Sequence, residues 1–72
     1  MEANEIQIFL INENPSVYSY LSVICKDGSI IVGFFGAISS NSVKDNLWKF
    51  TKTKNGREEI LLDGFDILKI EN

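Results

Sequence analysis

The sequence predicts an all-β fold, a small and strongly bent five-stranded barrel, on three observations. Turn signals recur at short spacing at Asn14-Pro15-Ser16, Asp27-Gly28, Ser39-Ser40-Asn41-Ser42, Asn55-Gly56 and Asp63-Gly64. They divide the chain into segments of strand length. Within those segments apolar residues alternate, as in Leu21, Val23 and Cys25, in Trp48 and Phe50, and in Ile60 and Leu62, so each segment can turn one face to a core. The run from Ile30 to Ile38 is instead apolar on both faces and is interrupted by Gly33 and Gly36. Such a strand can bend sharply and serve both halves of a barrel.

Taken in order, residues 1–14 form either an N-terminal helix or an extra strand. Asn4 followed by Gln7 has the spacing of a helix-capping box, and Ile6, Phe9 and Leu10 would share a helical face. Against that, Ile6, Ile8 and Ile11 are β-branched, and Ile6, Ile8 and Leu10 also alternate as a strand would. The barrel proper occupies residues 18–71, with strands at 18–26, 29–38, 46–54, 58–63 and 65–71. Asp-Gly and Asn-Gly are the dipeptides that accept the positive φ angles of tight hairpins between them.

The 72 residues make a single domain, because a chain this short buries only about 60% of its unfolded surface and has no room for a second core. A hydrophobic content of 44% with one proline describes an ordered unit. Self-association is the cheapest way for it to cover its remaining apolar surface. No apolar run approaches the roughly 20 residues that cross a bilayer. The acidic start Met1-Glu2-Ala3-Asn4-Glu5 lacks the basic character of a secretion signal, and a single cysteine fits a reducing compartment, so the expected location is the cytoplasm.

The net charge of −3 is unevenly placed. Residues 44–57 hold Lys44, Lys49, Lys52, Lys54 and Arg57 against Asp45, a local +4, whereas the rest has two cations against nine acids, or −7. A basic strip of this kind either contacts phosphates or is a solvated hairpin whose lysines blunt an edge strand.

Residues able to carry chemistry are few. There is no histidine, and Cys25 stands alone in an alternating strand where core packing explains it. A carboxylate pair such as Asp63 and Asp66 flanks a glycine turn, where aspartate caps local backbone groups. Neither phosphate-binding glycine motif occurs, and the serines of residues 39–42 have no nucleophile elbow around them. The expectation is a protein that is not an enzyme and needs no metal or cofactor. Trp48-Lys49-Phe50-Thr51-Lys52 interleaves aromatic and basic residues as a single-strand RNA platform does, but the same alternation describes a half-buried strand.

Asp27 and Gly28 after a strand, Gly33 five residues further on, and Asn46 before the apolar strand at Leu47 resemble the first motif of Sm and Sm-like proteins. Ile60, Leu62, Gly64, Ile67 and Ile70 are similar to the second motif. The resemblance implies an N-terminal helix followed by five bent strands in an Sm-like or SH3-like barrel. It also implies a ring in which the fourth strand of one subunit pairs with the fifth of the next. Two positions depart from the family pattern. The stretch from Gly33 to Asn46 is longer than usual, and Asp63 stands where the family has a basic residue that helps line its RNA site. A carboxylate there repels phosphate.

The expected function is accordingly that of an oligomeric protein-interaction or scaffold module. The alternative is an RNA-binding Sm-like ring using the basic strip. The residues singled out for partner or RNA contact are Asn46, Trp48, Lys49, Lys52, Lys54, Arg57, Asp63 and Gly64.

Overall fold

Helix α1, Ala3–Asn12, opens the chain, and its first turn explains why the β-branched residues inside it do not make it a strand. The Glu5 carboxylate accepts from the Glu2 backbone N–H at 2.9 Å, which places the cap at Glu2 rather than at the expected Asn4. Ile6 is fully buried while Phe9 and Leu10 pack against the core, so the expected helical face is the one used. Ile8 and Ile11 point outward and are exposed.

A computed structural model describes residues 1–12, 20–53 and 58–71 of the chain. The turns expected at Asn14-Pro15-Ser16 and Asn55-Gly56 lie outside them. Five strands follow α1: β1 Leu21–Cys25, β2 Ile30–Phe35, β3 Leu47–Thr51, β4 Glu59–Asp63 and β5 Ile67–Glu71, with helix α2 Ser40–Asp45 ahead of β3. They form one antiparallel sheet in the order β4-β3-β2-β1-β5. Among the described residues no helix is long and apolar enough to cross a membrane.

The Asp27-Gly28 turn joins β1 to β2 as a tight hairpin. Gly28 takes φ +91°, and its N–H reaches the Cys25 carbonyl oxygen at 3.0 Å. The two-faced strand changes partner at Gly33 as expected, whereas Gly36 lies beyond its end. Ile30, Ile31, Val32 and Gly33 pair with β1, after which Phe34 and Phe35 pair with β3, so β2 passes from one half of the sheet to the other at Gly33. The Phe50 ring and the Thr51 carbonyl lie where a Cβ on Gly33 would go. Phe35 meets Phe50 edge-on at 5.0 Å, and Phe34 is covered by Tyr20 at 4.4 Å. Leu21, Val23, Trp48, Phe50, Leu62, Ile67 and Ile70 complete the core around Ile6.

Three expectations are corrected. The sheet is open and not closed into a barrel: β4 and β5 have no pairing with each other and remain its two edges. Closure needs all strands to share one tilt and stagger, and here β2 holds β3 through only two residue pairs. Second, Ser39-Ser40-Asn41-Ser42 is the start of α2 rather than a turn. The Ser39 side chain accepts from the Ser42 N–H, and the Ser42 hydroxyl accepts from the Ser39 N–H, a capping box built entirely from serines. This helix fills much of the stretch between Gly33 and Asn46. Third, Asp63-Gly64 makes no hairpin but begins a single 3-10 turn, Gly64–Asp66, that sends β5 across to pair with β1.

Because Gly33 is the point of changeover, Gly33→Val is expected to destabilise the protein by about 1 to 3 kcal/mol through overpacking against Thr51 and Phe50. Urea unfolding checks this, and a midpoint equal to that of the unsubstituted chain would show that the close approach is relieved without cost.

Candidate functional site

Asn46 ends α2 in the left-handed conformation, φ 53° and ψ 39°, which asparagine tolerates better than most residues. It is 3% exposed, and its amide is divided between two partners. Its Oδ1 accepts from the Trp48 Nε1–H at 2.8 Å, and its Nδ2 donates to the Met1 carbonyl oxygen at 3.0 Å. Its backbone oxygen accepts from the Gly64 N–H at 2.8 Å. A side chain on Gly64 would collide with the Asn46 amide, so glycine is required there for close approach rather than for its φ angle. The Met1 ammonium donates to the Gly64 and Ile67 carbonyl oxygens at 2.8 and 2.6 Å, closing the cluster.

Four of the singled-out residues, Asn46, Trp48, Asp63 and Gly64, are thus brought to one junction, but three of them face inward. Trp48 is 1% exposed, so its ring packs the core and presents no stacking surface. Its expected part in a contact surface is corrected on that ground: an indole whose N–H is satisfied inside is held there. Asp63 remains exposed and accepts from the Phe65 N–H at 3.0 Å. Lys49 and Lys52 are exposed away from the junction, Lys49 on the outer face of β3 opposite Leu61. Lys54 and Arg57 lie outside the described residues.

A feature with no linear signal lies between the two free edges of the sheet. There a cleft of about 620 Å³ is lined by Cys25, Lys26 and Asp27 from the first hairpin, Ile31 from β2, Leu61, Leu62 and Asp63 from β4, and Asp66 and Ile67 at the start of β5. Its floor is apolar, and its rim carries three carboxylates and one ammonium. The Lys26 N–H donates to the Asp66 carbonyl oxygen at 2.8 Å, which fixes the hairpin to the 3-10 turn. At Asp27 the Ser29 hydroxyl donates to Oδ1 at 2.6 Å and the Ser29 N–H at 2.9 Å. These bonds, the hydroxyl's first, hold the carboxyl below its ordinary range. Among the described residues no three of His, Cys, Asp or Glu gather as a metal ion would need.

Comparison with protein-family models, with curated proteins and with solved structures finds no match to this chain. Its function is therefore read from its own side chains.

Two outcomes are expected from this geometry. Asn46→Gly keeps the left-handed backbone but leaves the buried Trp48 N–H without an acceptor, and should cost about 1 to 3 kcal/mol in denaturant unfolding. Asn46→Ala should cost about 1 kcal/mol more, since alanine resists that backbone region. Separately, an NMR titration should find Asp27 ionising below the usual carboxylate range and returning towards it in Ser29→Ala. The depressed folded value means that any stability this group contributes is present above its unfolded pKa and lost as the pH falls through the folded one. An Asp27 titration unchanged by Ser29→Ala would refute the assigned cause.

Proposed function

We propose that this chain is a non-enzymatic module that works through protein contact, assembling with copies of itself as Sm-like proteins would. The observation that carries the proposal is the pair of unpaired edges. β4 and β5 end the sheet on opposite sides, and each bears an outward leucine, Leu61 at 63% and Leu68 at 58% exposure, with Phe65 exposed between them. Edge strands with free main-chain groups and apolar side chains are normally blunted by charge, by a bulge or by a cover. β5 carries a bulge against β1 near Ile24 and Cys25 and an exposed Lys69–Glu71 ion pair, and on β4 the exposed Glu59 and Asp63 flank Leu61, yet both leucines stay more than half exposed. The resemblance to Sm proteins requires that the fourth and fifth strands both be edges, which is the arrangement here. Pairing β4 of one copy with β5 of the next is a head-to-tail contact, which closes into a ring when its rotation permits.

RNA binding is the second reading, favoured by the exposed Lys49 and Lys52. It is opposed by Asp63 at the junction and by the acids around it.

Light scattering across a range of concentrations tests the first reading. A defined multimer is expected that Leu61→Lys converts towards monomer, and a monomer persisting at tens of micromolar would overturn it. Single-stranded RNA should bind weakly at physiological salt. Tight binding that falls steeply with salt and improves in Asp63→Arg would move the protein to the second reading.

A further inference from the structure

We propose that the cleft between β4 and β5 receives an extended, basic segment of a partner protein, one apolar side chain resting on Ile31, Leu62 and Ile67 while lysines or arginines beside it meet Asp27, Asp63 and Asp66. The inference rests on the reading of the chain as a protein-contact module and names the chemistry of what it contacts. Three observations select this occupant. The cleft, about 620 Å³, lies within the size range of pockets that hold a ligand, and it combines an apolar floor with a few polar groups at its mouth. Its rim holds three carboxylates against Lys26, a net −2, so the approach of a cation is favoured and that of an anion opposed. Asp27 accepts from the Ser29 hydroxyl and N–H, bonds that favour its charged form.

The same charges argue against a second copy as the occupant. Seated in the cleft, as distinct from paired along β5, the β4 strand of a second copy would bring Glu58, Glu59 and Asp63 against the carboxylates of the rim. Lys49, the described cation nearest the middle of a strand, lies in β3, which is hydrogen-bonded to β2 on one side and β4 on the other. It is not available as an extended segment. An acidic or RNA ligand is opposed by the rim itself.

The test uses a short fluorescent peptide with lysines on both sides of a central leucine, and a twin in which glutamates replace the lysines. Fluorescence anisotropy should show binding of the lysine peptide that weakens as salt is raised, with the twin bound at least tenfold more weakly. Asp27→Asn combined with Asp66→Asn should lower affinity for the lysine peptide at least threefold. Lys26→Gln, which removes the one rim cation, should raise it, and this variant decides the matter should the double variant fail to fold. Cys25 lines the cleft, so saturating lysine peptide should slow alkylation of its thiol by iodoacetamide. Equal binding of the two peptides, an affinity indifferent to both rim changes, or an alkylation rate unaltered by bound peptide would overturn the proposal. Light scattering on the same samples separates the two readings. A multimer that ignores the peptide refutes the cleft alone, whereas a monomer that binds it refutes self-assembly alone.

Discussion

A single buried amide ties the ends of this fold together. Asn46 holds the Trp48 indole, the Met1 carbonyl and, through its backbone, the Gly64 N–H, so α1, the end of α2, the start of β3 and the turn before β5 all depend on it. A buried amide is directional and costly to leave unpaired, and it therefore fixes positions more narrowly than apolar contact does. Its left-handed backbone stops α2 and starts β3 within one residue. The absence of a side chain at Gly64 then lets the 3-10 turn close upon it.

That closure decides the shape of the sheet. With Gly64 drawn to Asn46 and the Lys26 N–H bonded to the Asp66 carbonyl oxygen, β5 is directed onto β1 instead of turning back along β4. β2 meanwhile transfers its pairing at Gly33, folding the two halves towards each other without bringing their outer strands into register. The open edges and the acid-rimmed cleft between them follow from the same two constraints.

Much of this was legible in the sequence where the signal was local. The alternation of Leu21 with Val23, of Trp48 with Phe50 and of Ile60 with Leu62 places three strands and their inward faces, because side-chain direction repeats every two residues whatever lies elsewhere. Gly33 was legible for the same reason, as a break in a run otherwise apolar on both faces. The first segment satisfied two periods at once, and the helix is decided by a Glu2–Glu5 cap and by the burial of Ile6. α2 was hidden because six residues rich in serine and asparagine carry the chemistry of a turn as much as that of a capped helix. Asn46 and Gly64 could be picked out as motif positions, but not their burial or their contact, since nothing in a linear pattern gives the approach of residues so far apart. The cleft escaped for the same reason: its walls come from the first hairpin and from the far end of the chain.

The choice between a protein and a nucleic acid as partner turns on how the outer face of β3 and β4 is composed. Lys49 stands opposite Leu61, and its two diagonal neighbours across the strand pair are Glu59 and Asp63. Diagonal neighbours lie about 7 to 8 Å apart, inside the screening length of about 8 Å at physiological salt. Each acid therefore offsets the attraction that Lys49 would exert on a phosphate. A polyanion gains affinity by releasing counterions to uncompensated cations, and here the described cation on the strand is compensated twice. What remains on that face is an exposed leucine set among mixed charges beside a free strand edge. Main-chain pairing and apolar contact are the interactions such a face can offer.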